Sequence, residues 1–237
     1  MNPSEPSPRP ATSTPAANSA SAEKSTLRDL SSLIARTEGI QPWRRLFHAC
    51  NGVVLALLPG LIGLERAATV ALYAAGTLAA FGLDAVRLRA PGVNRWFFAV
   101  FNRLASPREA RGAASSSWYA LGITLSMALF PLEIARAAIL VLGLADPAAS
   151  VIGRIWGRRP LGKGSWLGST VFLLVATGVL WVALPGVPLA LLGLTALTAA
   201  LAEVFVPRLD DNLIIPLVTG GMLWLVLNVW PVVPGTG

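Results

Sequence analysis

A polytopic all-α membrane protein is the fold class this sequence predicts, and three observations carry the prediction. Of the 237 residues, 54% are hydrophobic and 13% charged, about half the roughly 25% charge of a soluble domain. Apolar runs near the roughly 20 residues needed to cross a bilayer recur along the chain. The cations lie in short segments between those runs, where a nucleic-acid binder would gather them into a stripe on one folded face. The net charge of +7 therefore points to anionic headgroups and an anionic ligand, and away from nucleic acid. Cys50 is the sole cysteine. That excludes an intrachain disulfide, and its apolar setting suits an inert small hydrophobe.

The elements follow in order. Residues 1–26 are rich in Pro, Ser, Ala and Thr, a composition expected to stay disordered because it cannot bury a core. No continuous apolar run of a secretory signal occurs in it. Residues 27–42 set Leu27, Leu30 and Ile34 on one helical face, which predicts a short interfacial helix. A transmembrane domain is expected over 43–231, with a short tail at 232–237. Within it, about seven spans are predicted, at about 46–64, 66–86, 115–132, 134–153, 166–184, 187–206 and 212–231. Between the second and third lies "RLRAPGVNRWFFAVFNRLASPREAR", basic and aromatic, which predicts an amphipathic helix along the interface. Pro185, Gly186 and Pro188 make a tight turn between spans five and six.

Orientation follows from the cations. With the N-terminus inside, all 19 Lys and Arg except Arg66 and Arg136 fall on the cytoplasmic side. The positive-inside rule then gives N-in, C-out.

Polar residues within spans are expensive and tend to be functional. His48 and Asn51 lie in the first span, Asp84 near the end of the second and Asp146 in the fourth, while Glu203 ends the sixth and Asp210, Asp211 and Asn212 open the seventh. Most fall toward one end of the expected bundle. In "RRLFHACNG", Arg44, His48 and Gly52 share a face with Arg45 beside it. Two guanidiniums near an imidazole suit a polyphosphate, and the alternative is a basic flank with one satisfied histidine.

In "LADPAASVIGRIWGRRPLGKGS", Asp146 and Ser150 are i, i+4, with Gly153 and Gly157 following. Small residues permit close approach, and Pro147 frees a carbonyl near the carboxylate. Arg154, Arg158, Arg159 and Lys163 come next, and Ser165 precedes the fifth span. A carboxylate for a divalent cation beside cations for phosphates is what a nucleoside triphosphate requires. The alternative is a packing helix whose Asp pairs with a neighbouring Arg. In "EVFVPRLDDNLIIPL", Glu203, Asp210, Asp211 and Asn212 supply hard oxygen ligands apt for Mg²⁺, or else a helix cap. P-loop, HExxH and Cys/His metal motifs are missing, and a hydrolase triad is improbable with one histidine.

At these residues the chain resembles the CTP-dependent lipid-alcohol kinases (dolichol kinase, phytol kinase and CTP-using diacylglycerol kinase), relatives of phosphatidate cytidylyltransferase. "RRLFHACNG" is similar to the family's R-K-x-x-H-x-x-x-G. "ADPAASVIG" is similar to its G-D-x-x-A-x-x-x-G, and "KGSWLGS" to the segment that follows. "EVFVPRLDDNLIIPL" is similar to its E…D-D-N-L-x-x-P-L signature. Arg45 stands where Lys is usual, Ala145 where Gly is usual and Leu167 where Glu is common.

The resemblance implies transfer of the CTP γ-phosphoryl group to a lipid primary alcohol of polyprenol, dolichol, phytol or diacylglycerol type, with Mg²⁺, on the cytoplasmic side. It implies Asp146, Lys163, Asp211 and Glu203 as catalytic residues, with Asp146, Glu203 and Asp211 as metal ligands. Arg44, Arg45, His48, Gly153, Ser165 and Asn212 would bind nucleotide and phosphates. Its partners would be CTP, the lipid alcohol and membrane lipids. The nearest alternative is a CDP-lipid synthase of the phosphatidate cytidylyltransferase kind. A transporter or lipid-binding membrane protein without catalysis is a further one, against which the one-sided polar cluster argues.

Overall fold

The computed structural model describes residues 31–229 apart from 36, 38, 207 and 208. The predicted tails at 1–26 and 232–237 lie outside the described residues. The N-terminal interfacial helix is described as helix only over 31–35, and the chain turns at Gly39, whose φ is +101°. This stretch therefore ends earlier than the expected boundary at 42.

Each predicted span coincides with one helix. These are α1 (Pro42–Leu61), α2 (Arg66–Arg89), α4 (Ser115–Leu129), α5 (Leu132–Trp156), α6 (Trp166–Ala183), α7 (Leu189–Phe205) and α8 (Asp211–Val229). Prolines start several of them, Pro42 in the first turn of α1 and Pro131 and Pro188 just ahead of α5 and α7. A fixed φ near −65° and a missing N–H are harmless there.

By length and composition, α2, α5, α6 and α8 qualify as membrane-crossing, and α7 is apolar but shorter. Helix α1 begins with Arg44, Arg45 and His48, and α4 has 15 residues, or about 22 Å at 1.5 Å per residue. The protein is an integral membrane protein, consistent with the many large apolar side chains left exposed, among them Leu78, Leu174, Trp181 and Val182.

The predicted connector helix is α3 (Pro91–Val100). Asn94 and Phe98 are buried and Trp96 and Val100 exposed, so it is two-faced as its pattern requires. A 3₁₀ turn at Pro107–Ala110 leads into α4.

Helix α5 is central, packing against α1, α4, α6 and α8. Its buried face is largely small: Ala135, Ala137, Ala138, Ala145 and Ala149 alternate with Ile139, Val141 and Leu142. Such residues let backbones approach closely, the main source of helix association in lipid. Gly52 of α1 meets Gly143 of α5, and a Cβ on Gly52 would lie 2.6 Å from Gly143 Cα. That crossing brings the Arg44–His48 turn against the Asp146 turn.

A buried ion pair braces the connector. Arg87, fully buried, donates to Asp84 Oδ1 at 2.7 Å, to Asn94 Oδ1 at 3.0 Å, and to the Glu109 and Gly112 carbonyls at 2.7 and 2.8 Å. Asp84 Oδ2 accepts from Ala114 N at 2.8 Å and Ser117 Oγ at 2.6 Å. Asp84 is thus a structural anchor whose hydrogen bonds are all internal.

Between α5 and α6 lies a short hairpin. Strands β1 (Pro160–Leu161) and β2 (Gly164–Ser165) pair antiparallel around Gly162 and Lys163. Gly162 has φ +51°, and a Cβ there would sit 2.5 Å from the Val204 carbonyl oxygen. Only glycine fits this position.

Candidate functional site

One polar cavity opens where the N-terminus of α1, the later half of α5, the hairpin, the end of α7 and the start of α8 meet. It has two lobes. The first, about 470 Å³, is lined by Arg44, Arg45, His48, Arg108 and Asn212, among others. The second, about 390 Å³, is lined by Gly153, Lys163, Ser165 and Glu203, among others. Asp146, Ser150, Arg154 and Asp211 line both. Residues up to 175 positions apart in sequence (37 to 212) therefore converge, and all ten residues to which the resemblance gives a role line one lobe or the other, whereas Asn51 and Asp84 line neither. Arg66 and Arg136 lie at the other end: Arg66 donates to the Met127, Ala128 and Phe130 carbonyls at the end of α4, and Arg136 packs against Gly60 near the end of α1.

The first lobe is built around Asp146 and arginines. Asp146 Oδ2 stands 3.8 Å from His48 Nε2, too far for a hydrogen bond. His48 Nε2 lies 3.2 Å from the Leu142 carbonyl, and its ring meets Tyr119 edge-on at 4.3 Å. His48 thus braces α1 on α5 beside the carboxylate. Arg44 is held by Gln41 Oε1 at 3.1 Å and Ser115 Oγ at 2.6 Å, with Glu109 Oε1 at 3.5 Å.

Arg45 donates to the Ile40 carbonyl at 2.7 Å and has no carboxylate within salt-bridge distance among the described residues. It sits in the first turn of α1, ahead of the expected span. Arg154 and Arg44 act on it with like charge. Crowded cations with too little counter-charge mark a place where an anion is stabilised.

In the second lobe the hairpin presents Lys163, which pairs with Asp211 Oδ1 and donates to the Val206 carbonyl at 3.2 Å. Glu203 Oε2 is buried and has no hydrogen-bond partner among the described residues, and Asp146 and Asp211 both act on Glu203 with like charge. An unpaired buried carboxylate oxygen is costly, so this orphan calls for a cation or a proton. Among the described residues no three His, Cys, Asp or Glu side chains form a preformed metal cluster.

The two adjacent aspartates play different parts. Asp210 Oδ1 accepts from Asn212 N at 3.1 Å and Asn212 Nδ2 at 2.7 Å, capping α8. Its other oxygen accepts from Arg108 Nη2 at 3.0 Å. Asp210 lines only the first lobe, whereas Asp211 lines both. Ser165 has a structural role as well, since its Oγ accepts from Gly168 N at 3.1 Å as the cap of α6. Leu167 is 39% exposed and lines neither lobe.

Sequence reasoning passed over Arg108, which no spacing rule could find, because the connector brings it in. It counted Arg154 among the cations for phosphates but gave it no role of its own, although Asp146, Ser150 and Arg154 stand at i, i+4 and i+8 on one face.

The hairpin invites a direct test. G162A strains a left-handed position and drives a Cβ into Val204. It should destabilise the fold by at least about 1 kcal/mol and displace Lys163, with turnover falling about tenfold or more. A thermal midpoint and rate equal to those of the unaltered protein would show that the hairpin does not position Lys163.

Fold and cavity together define a helical integral membrane protein that gathers a cluster of charged side chains at one end of the bundle. Over 202 residues the chain is 28% identical to "CTP-dependent diacylglycerol kinase 1" of Schizosaccharomyces pombe, covering 78% of this chain and 92% of the relative. A 75-residue stretch is 31% identical to the protein of the same name from Eremothecium gossypii, covering 32% of this chain and 24% of that one. No protein-family model and no solved structure matches. These similarities agree with the resemblance to the CTP-dependent lipid kinases that the ordered motifs carry.

Proposed function

We propose that the protein transfers the γ-phosphoryl group of CTP to the primary hydroxyl of a membrane lipid, with diacylglycerol, the substrate in its relatives' name, as the acceptor. The observation that carries this reading is the two-lobed cavity sharing Asp146, with guanidiniums on one side and Lys163, Glu203 and Asp211 on the other. In the reaction the lipid oxygen bonds to the γ-phosphorus, the bond to the β-phosphate oxygen breaks, and CDP leaves. The hydroxyl proton passes to a carboxylate, for which Asp146 is the candidate.

The chemistry is mainly positioning and charge neutralisation. Arg44, Arg45 and Lys163 hold phosphates, and Asn212 and Ser165 keep neighbouring groups in register. Gly153 leaves room beside Ser165. His48 keeps Asp146 on its mark. The donor set fits Mg²⁺: Glu203 has an orphaned oxygen, Asp146 and Asp211 share its lobe, and Mg²⁺ is typically held by one or two carboxylates plus waters and substrate phosphates. When bound, Mg²⁺ neutralises phosphate charge. The lipid tail stays in the bilayer while its head enters between helices. The cation distribution supports a cytoplasmic mouth for the cavity, where CTP is available.

The test incubates the purified protein with CTP or ATP and a panel of diacylglycerol, phytol, polyprenol and dolichol, reading lipid phosphate by mass spectrometry. Phosphatidate formed with CTP is the expected result. No lipid phosphate from any alcohol with either nucleotide would refute the proposal.

A further inference from the structure

We infer that Arg154 holds the terminal phosphoryl group of the triphosphate at the junction of the two lobes. The inference rests on reading the cavity as a nucleoside triphosphate site. Arg44, Arg45 and Arg108 line only the first lobe, and Lys163 and Arg158 only the second. Arg154 is the one cation among the described residues that lines both, on the same stripe of α5 as Asp146 and Ser150.

Its charge is also free for a ligand. Arg44 is committed to Glu109 and Ser115, and Arg108 to Asp210 and Ser115. Arg154 has no carboxylate within salt-bridge distance among the described residues and donates from Nη1 to the Gly39 carbonyl at 2.9 Å. A guanidinium carries five N–H donors in a planar fork, so four remain. Arg45 repels it, and both gain when an anion enters between them.

A phosphoryl group in transfer must stand between donor and acceptor. In this cavity the side chains suited to phosphates flank the junction from both lobes, Arg44 and Arg45 on one side and Lys163 on the other. A guanidinium placed there stabilises the charge spread over the group's equatorial oxygens. Arg154 is also the residue whose loss the nucleoside monophosphate and diphosphate should not feel.

Calorimetry on the full-length protein in detergent with Mg²⁺ tests this, comparing CMP, CDP and CTP for the unaltered protein, R154Q and R154K. Gln keeps an N–H donor for the Gly39 carbonyl and loses the charge, whereas Lys keeps the charge. R154Q should weaken CTP binding about tenfold or more, leave CDP and CMP within about twofold, and be largely rescued in R154K. Unchanged CTP affinity in R154Q overturns the inference. So does equal weakening of all three nucleotides, which would make Arg154 a wall of the cavity. An unaltered protein that binds no nucleotide defeats the triphosphate reading itself, an outcome visible before any variant is made.

Discussion

Asp146→Asn should abolish phosphoryl transfer, by at least about a hundredfold, while the protein still inserts and accumulates in the membrane. Asparagine matches aspartate in volume and can still hydrogen-bond, so packing on α5 is preserved. What it removes is the charge and the capacity to take a proton. Asp146 lines both lobes, and Arg45, Arg44 and Arg108 all act on its carboxylate. No other residue of the central helix offers an acidic group there. The measurement is initial rate at saturating CTP together with the thermal midpoint of the purified variant. Loss of rate with an unchanged midpoint supports the assignment, and full turnover refutes it.

The second large effect falls on stability. Arg87→Ala leaves Asp84 buried without its partner, and breaking such a pair is destabilising by about 3–5 kcal/mol. It also strips a donor from the Glu109 and Gly112 carbonyls and removes the guanidinium stacked 4.5 Å over Phe97. The thermal midpoint, followed through the eight tryptophans, should fall by roughly 10 °C. The connector should loosen with it, so Arg44 loses its Glu109 partner and affinity for CTP falls. Asp84→Asn combined with Arg87→Met should recover part of the loss, because no uncompensated charge remains. A shift below about 2 °C in Arg87→Ala would show that the pair does not hold the connector.

Much of this architecture was legible in the sequence. Hydropathy and helical periodicity are local properties, so the seven long helices among the described residues fall on predicted spans. The converging cluster could be read because intramembrane charge is costly enough to be kept only for a purpose. His48, Asp146, Glu203 and Asp211 each stood out for that reason.

What escaped was pairing. Asp84 and Arg87 resemble any flanking charges until the connector folds over them. Asp210 and Asp211 are adjacent carboxylates, and only the start of α8 decides which one caps and which one faces Lys163. Ser165 hides a capping role inside a site motif. The hairpin depends on a two-residue turn set against Val204, a contact 42 positions away from Gly162. Such partners are fixed by tertiary geometry, which no window of sequence contains.

The most direct test of the central claim follows two labels with purified protein, Mg²⁺ and diacylglycerol. CTP carries one label in its γ-phosphate and another in its α-phosphate. Phosphoryl transfer predicts γ-label in the lipid phase as phosphatidate and α-label in water as CDP. The opposite partition after supplying phosphatidate, with α-label in the lipid and γ-label in pyrophosphate, would make the protein a cytidylyltransferase and contradict the account.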